Sequence, residues 1–409
     1  MPTDADYMRL ALRLARRGLG TTSPNPMVGA ILVRGGKIIG RGWHQRAGGP
    51  HAEIEALHDC EKRGHRAQSA TLFVTLEPCS TYGRTPPCTN AIIDAQIRRV
   101  VVGATDPNPR HAGMGFEILK DAGIKVSSGV LENDCIEVNE AFNHWIVRRT
   151  PLVTVKAAMS LDGKLATVSG KSKWITSAEA RAYGMQLRQG ADAILVGINT
   201  ILADDPSLTW RRQDAGAARK RTEPGRNSSR IHQHRLRRII LDANARTPSD
   251  ARVVSDKEAA LTTIVVSDLA PKARLRELAK RANILVAPLD KSKRGAFVVQ
   301  SSKFKVQGSR FSPGPPPPTL NLRWLLRRLG SEEVTSLLVE GGGAVNASFL
   351  LEGLAQRIAF FYAPKILGGR EARKAVAGTG ICDVSNGIKL SMVNWRRLGE
   401  DWLLSAHLV

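Results

Sequence analysis

Three residues able to hold a metal ion stand in the first quarter of this 409-residue chain: His51 in "PHAEIEAL", and Cys79 and Cys88 in "TLEPCSTYGRTPPCTN". Each cysteine follows a proline. Pro50 introduces a helix starting at His51 with Glu53 in its first turn, Cys79 follows a strand end, and Cys88 opens a second helix. Helix N-termini favour anions and lower thiol pKa values, which suits thiolates on a cation. One imidazole and two thiolates make a three-ligand zinc site whose fourth position stays open for water, as in a catalytic zinc; a structural zinc normally has four protein ligands. Glu53, two residues from His51, belongs beside that water and not on the metal. An acidified water with a proton-passing carboxylate is the equipment for hydrolytic removal of an amino group from a pyrimidine-like ring. His51 by itself would read as a capping or surface histidine; the full His, Glu, Pro-Cys and Cys set outweighs that reading.

The elements that position these groups follow from hydrophobic periodicity. "GAILVRGGKIIG" predicts a hairpin turning on Gly35 and Gly36, and "ATLFVTLEP", "RRVVVGATDP" and "IKVSSGV" predict further strands. Helices over 4–18, 51–63, 87–96 and 113–122 fill the gaps, giving an α/β layer arrangement with one sheet. After residue 148 the alternation starts afresh with "ADAILVG", "RRIILDA", "TTIVVSD", "NILVAP" and "TSLLVEGG". The chain is too long for one ordinary core, so two α/β domains are expected, 1–148 and 149–409. In the second, "SLLVEGGGAVNASFL" is a β run, three glycines and a small-residue helix start, which lets backbone N–H groups approach a phosphate. It is not the G-x-G-x-x-G dinucleotide fingerprint.

Hydrophobic residues make up 42% and charged residues 24% of the chain, as in a soluble globular protein, and no apolar run approaches the roughly 20 residues of a membrane span. The N-terminus has acidic residues before basic ones and puts Tyr7, Leu10, Ala11 and Leu14 on one helix face, so no signal peptide is indicated and a cytoplasmic location is expected. Cys60, Cys135 and Cys382 lack partners at ligand spacing and read as small buried or surface residues. The formal charge of +23 invites a nucleic-acid reading. Much of the excess, however, sits in residues 211–238, whose Gly, Ser and Arg composition is that of a solvated insertion. A second irregular piece ends in the polyproline run Pro315 to Pro318 and reads as an extended spacer. Both insertions, near 211–236 and 291–319, interrupt the second domain.

The first half resembles the cytidine-deaminase superfamily, specifically the deaminase part of the RibD family of bifunctional riboflavin-biosynthesis enzymes. Nucleic-acid deaminases carry the two cysteines as C-x-x-C, whereas the eight residues between Cys79 and Cys88 resemble the RibD pattern. "SPNPMVGAILV", "GWHQRAGGPHAE" and "TDPNPRHAGMGFEILKDAGIKV" extend the match along the domain. The resemblance implies zinc on His51, Cys79 and Cys88, catalysis by Glu53, and substrate contacts at Asn25, His44 and Arg84. One position departs: the family usually has histidine where this chain has Thr81, whose hydroxyl carries no charge for a phosphate.

The second half resembles the reductase part of the same family, with a dihydrofolate-reductase-like fold, through "VTVKAAMSLDGKLAT", "SKWITS", "LRQGADAILVGINTILADDPSLTWR" and "LLVEGGGAVNASFL". It implies NADPH contacts at Ala158, Trp174, Thr200, Asp204 and the loop Gly342, Gly343, Ala344, Val345, Asn346, Ala347 and Ser348. It implies substrate contacts at Ser172, Arg188, Leu208, Arg211 and Glu340. Residue type alone would put Trp174 and Leu208 in the core. Arg188 and Arg211 suit a ribose phosphate, because a guanidinium grips it through two hydrogen bonds. Lys156 and Asp162 in "KAAMSLDG" read equally as polar site residues or as strand-end and turn residues. The implied chemistry is zinc-dependent deamination of 2,5-diamino-6-(5-phosphoribosylamino)pyrimidin-4-one, then NADPH-dependent reduction of the ribosyl unit to a ribityl chain. The implied partners are the phosphorylated pyrimidine, NADPH and a second copy of the chain, with neither nucleic acid nor membrane. A nucleic-acid deaminase with an accessory domain and a zinc-stabilised binding protein are the competing readings.

Overall fold

The computed structural model describes residues 2–82, 86–211, 235–290, 319–378 and 380–409. Arg84, most of the first expected insertion and residues 291–318 of the second lie outside the described residues. In the first half, β1 (Gly29–Arg34), β2 (Lys37–Trp43), β3 (Thr71–Leu76), β4 (Arg99–Ala104) and β5 (Lys125–Ser127) form a sheet in the order β2-β1-β3-β4-β5. β1 runs antiparallel to β2 and β3, while β3, β4 and β5 are parallel. The β1–β2 turn needs left-handed backbone at Gly35 (φ 56°) and Gly36 (φ 76°), which glycine adopts without cost from a Cβ.

Around this sheet lie α1 (Asp4–Ala15), α2 (Ala52–Lys62), α3 (Cys88–Asp94), α4 (Met114–Asp121), α5 (Glu132–Val138) and α6 (Glu140–Arg148). A capping box between Thr3 and Asp6 starts α1. α2 lies directly on β2: a Cβ at Gly40 or Gly42 would stand 2.4 or 2.2 Å from the carbonyl oxygens of Ala56 or Ala52. That close seat fixes the helix whose start carries His51 and Glu53. α5 and α6 were not foreseen; neither has a side-chain N-cap, and α5 begins after a left-handed leucine, Leu131 (φ 54°).

In the second half, β6 (Leu152–Ser160), β7 (Ala193–Gly197), β8 (Arg237–Leu241), β9 (Thr262–Val266), β10 (Asn283–Val286), β11 (Ser336–Val339), β12 (Arg357–Ala363), β13 (Leu390–Leu398) and β14 (Asp401–Leu408) form one sheet. Its order is β10-β9-β8-β7-β11-β6-β12-β14-β13, parallel from β10 to β12 and antiparallel beyond. The helices are α7 (Ala178–Gln189), α8 (Ile198–Asp204), α9 (Arg252–Ser255), α10 (Lys272–Leu278), α11 (Leu322–Ser331) and α12 (Gly343–Leu351). β7, β9 and β11 are buried at every residue, which is why they read as mostly apolar runs. β6 alternates, with the half-exposed Lys156 and Ala158 on one face and the buried Val155, Ala157 and Met159 on the other.

The expected solvated stretch 211–238 is corrected at its end. Leu236 is buried, and Arg237 and Arg238 open β8. The Arg238 side chain is fully buried, donating Nη1 and Nη2 to Asp256 at 2.7 and 2.8 Å and to the carbonyls of Ser207 and Val253. Composition alone had counted it with the rest of that stretch. Asp256→Ala strands this guanidinium in the interior and should cost about 3 kcal/mol of stability, read as a lowered denaturation midpoint.

The two halves meet along α6. Trp145 Nε1 donates to the Gly330 carbonyl at 2.8 Å, and Arg357 reaches Glu140 at 2.7 Å. Ser23 and Thr335 hydroxyls lie 3.4 Å apart on the same seam.

Candidate active sites

His51 is the extended residue capping α2 (φ −75°, ψ 165°), Cys79 lies three positions past β3, and Cys88 is the first residue of α3. His51 Nδ1 is 3.2 Å from Cys88 Sγ and 3.5 Å from Cys79 Sγ, and the three ligand atoms lie within 4.8 Å of one another. Zinc at about 2.0–2.1 Å from nitrogen and 2.3 Å from sulfur would set tetrahedral N···S edges of roughly 3.6 Å. The triangle fits that ion. Between the thiols, the hydrogen bond from Cys88 drives Cys79 down to about 4, and the same bond pushes Cys88 up. The hydrogen bond to Cys79 raises His51. A bound cation would hold both sulfurs as thiolates.

Glu53, in the first turn of α2, is 4% exposed, and burial pushes its carboxyl up to about 7 against the pull of His51. His44 is buried, which lowers its pKa, and its ring lies edge-on to His51 with centroids 5.4 Å apart. Its Nδ1 is 2.9 Å from the Pro50 carbonyl, which only accepts, so Nδ1 carries the proton and Nε2 accepts from Asn25 Nδ2 at 3.2 Å. Asn25, His44, His51, Glu53 and Cys79 line one cavity of about 410 Å³.

Thr81 lines that cavity with a hydroxyl, and three groups unassigned from the sequence join it. Glu77, in the "EP" before Cys79, is buried and accepts from the backbone N–H groups of Asp106 (3.0 Å), Gly113 (3.0 Å) and Gly115 (2.9 Å). One carboxylate thereby gathers the loop that carries Asp106, Asn108 and His111 to the wall. The only sequence signal was its place beside the ligand cysteine. α6 contributes Phe142, Trp145 and Ile146, and the second half contributes Glu333.

In the second half, Lys156 from β6, Arg188 from α7 and Glu340 just past β11 converge. Arg188 donates Nε and Nη2 to the two oxygens of Glu340, both at 2.9 Å, and Nη1 to the Thr209 carbonyl. Lys156 Nζ stands 3.5 Å from the same carboxylate. Burial would raise Glu340, but Arg188 and Lys156 outweigh it and hold the carboxyl down at about 2. Thus Arg188 spends its fork on Glu340, whereas Arg211 is exposed and donates Nη2 to Ser207 Oγ at 2.8 Å. Ser172 Oγ donates to Asp204 at 3.2 Å. Asp162 is a turn organiser, accepting from Ser160 Oγ and from the backbone of Leu367 and Gly368.

Leu208 packs in the core at 2% exposure, as its type suggests, but Trp174 is 67% exposed with the Arg181 guanidinium 4.5 Å from its ring centroid. The core reading of Trp174 is therefore overturned. Gly342 caps α12, and a Cβ there would meet nothing within 4 Å. Ala344 is exposed and Val345 partly so, whereas Asn346 and Ala347 are buried. The Asn346 Oδ1 is buried without a hydrogen-bond partner. Thr200 is half-buried on α8, whose cap Gly197 abuts Val345. An open helix start above a parallel sheet suits a phosphate-bearing cofactor such as NADPH.

Residues 151–404 match the RibD C-terminal domain, and residues 1–104 match the cytidine and deoxycytidylate deaminase zinc-binding region. The riboflavin biosynthesis protein RibD of Aquifex aeolicus is 39% identical over 98% of this chain and 97% of its own length. That of Actinobacillus pleuropneumoniae is 38% identical over 98% and 94%. Among solved structures, Acinetobacter baumannii RibD superposes with a TM-score of 0.79 at 32% identity, covering 99% of both chains. The diaminohydroxyphosphoribosylaminopyrimidine deaminase/5-amino-6-(5-phosphoribosylamino)uracil reductase of Thermotoga maritima gives 0.76 at 32% identity over 99% of both. No described helix is long and apolar enough to cross a membrane. With a cytidine-deaminase-like zinc domain leading into a dihydrofolate-reductase-like, NADPH-dependent domain, the chain belongs to the RibD family of bifunctional deaminase and reductase enzymes of riboflavin biosynthesis.

Proposed function

We propose that the first site deaminates 2,5-diamino-6-(5-phosphoribosylamino)pyrimidin-4-one to 5-amino-6-(5-phosphoribosylamino)uracil and that the second reduces the ribosyl unit of that product. The observation that carries this reading is the ligand triangle of His51, Cys79 and Cys88 sharing one cavity with the buried Glu53. Zinc held there would acidify a water for attack on the ring carbon that bears the amine. Glu53, poised near neutral pH by its burial, takes a proton and returns it to the departing amine. Asn25 and the neutral His44 present a fixed polar wall to the ring.

In the second site NADPH supplies the hydride. Gly342 to Ser348, with Ala158, Thr200, Asp204 and Trp174, seat the cofactor, and the opened α12 start receives a phosphate. Lys156 and Glu340 face the sugar, Arg188 keeps Glu340 charged and aimed, and Arg211, with Ser172 and Leu208 beside it, takes the phosphate end. β13 leaves Met392, Val393 and Trp395 exposed on the outer strand of the sheet, which supports association with a second copy. Purified protein supplied with zinc, NADPH and the phosphorylated pyrimidine tests the assignment; ammonia release without NADPH oxidation would limit it to the first half.

We place the functional boundary near residue 148. A fragment from Arg149 is expected to oxidise NADPH with the deaminated intermediate, since every proposed reductase contact lies downstream. It should melt earlier than the full chain, having lost Trp145 and Glu140. A folded but inactive fragment would show that the first domain completes the second site.

A further inference from the structure

We propose that His111 is a substrate-binding residue of the deaminase cavity, donating a ring N–H to the ribose phosphate; the inference rests on the substrate class given above. Among the described residues, with Arg84 outside them, the cavity wall lacks a cationic donor. Its described side chains include the carboxylates of Glu53, Glu77, Asp106 and Glu333 but neither lysine nor arginine. Carboxylates suit the hydroxyls and amines of the substrate, whereas a phosphate monoester is acceptor-only and needs N–H or O–H groups.

The other nitrogen donors on the wall are mostly committed. Asn25 donates to His44, His44 to the Pro50 carbonyl, and Trp145 to the Gly330 carbonyl, while His51 belongs to the metal triangle. Asn108 uses its Oδ1 on the Arg110 backbone and keeps its amide for the sugar. His111 is different. Its Nδ1 is buried with no hydrogen-bond partner, and its ring is close enough to the Asp106 carboxylate on the same wall to feel its charge, with no side-chain hydrogen bond between them. A proton on Nδ1 would be shut in without an acceptor, so the neutral ring carries it on Nε2.

The backbone that carries the ring is also held in place. The His111 N–H donates to the Asn108 carbonyl at 2.9 Å and its carbonyl accepts from Met114 N at 3.0 Å. The three bonds to Glu77 then tie both ends of this loop to the strand end that carries Cys79. Position and donor are thus set before substrate arrives.

The test is steady-state deamination by the zinc-loaded full chain, on the phosphorylated pyrimidine and on its dephosphorylated riboside. His111→Ala should raise KM for the phosphorylated substrate roughly 10- to 100-fold, with kcat and riboside turnover little changed, and His111→Asn, which keeps an N–H, should lose less. Equal losses on both substrates, or an unchanged KM, overturn the proposal. If the alanine variant does not fold, the asparagine variant decides: its preference for the phosphorylated substrate must fall, and an unaltered preference overturns the proposal. A wild-type enzyme that turns over both substrates equally well also refutes it, while leaving the deaminase assignment standing. Turnover of neither sinks the substrate reading itself.

Discussion

Glu53→Gln is expected to reduce deamination by about 10²- to 10⁴-fold while the protein keeps its zinc. The amide matches the carboxylate in shape but cannot take up and return a proton, and Glu53 is outside the ligand triangle of His51, Cys79 and Cys88. Metal analysis and turnover on the same preparation check it. NADPH-dependent reduction of the deaminated intermediate should be untouched, because its residues lie in another sheet. Loss of zinc from this variant would put Glu53 in the coordination shell and end its assignment as the proton carrier.

Arg188→Met should have the opposite pattern, losing reduction and sparing deamination. The substitution removes both hydrogen bonds from the mostly buried Glu340 and leaves Lys156 at 3.5 Å as its remaining cation. Removing one partner of a buried pair costs about 3–5 kcal/mol, so a lowered melting temperature should accompany the activity loss. The sign with pH follows from Glu340, whose folded-state carboxyl lies at about 2, below its unfolded value of about 4.3. Its pairing therefore stabilises above the unfolded value and is lost as pH falls through the folded one. In the variant, burial is less opposed and the carboxyl protonates at higher pH. The stability gap between wild type and variant should be widest near neutrality and narrow in acid. A gap that widens in acid, or deamination falling alongside reduction, would show that Arg188 has another role.

The readability of these sites from sequence tracks how local their chemistry is. The cluster of His51, Cys79 and Cys88 was legible because Pro-Cys and Pro-His pairs at strand ends and helix starts carry spacing, residue type and local structure together. β7, β9 and β11 were legible for a different reason: burial on both faces leaves mostly apolar side chains, whereas the mostly exposed β13 was not singled out. Glu77 was not legible, since its work depends on three backbone groups some thirty residues downstream. Arg238 failed similarly, because only its pairing with Asp256, 18 residues on, distinguishes it from the other arginines of that stretch. Trp174 misled through its type, which usually goes with burial, whereas in the fold its ring is open to solvent with the Arg181 guanidinium packed on it.

The sheet order of the second half also sets a clock on biosynthesis. β6 leaves the ribosome first among its strands, yet its neighbours are β11 and β12, and Lys156 waits 184 positions for Glu340. At about 5–20 residues per second that interval is roughly 10–40 s, during which a strand with apolar residues on both faces has no partner of its own sheet. In that interval the unpaired edges of β6 are open to pairing with other chains, so the nascent second half is most prone to aggregation before β11 emerges.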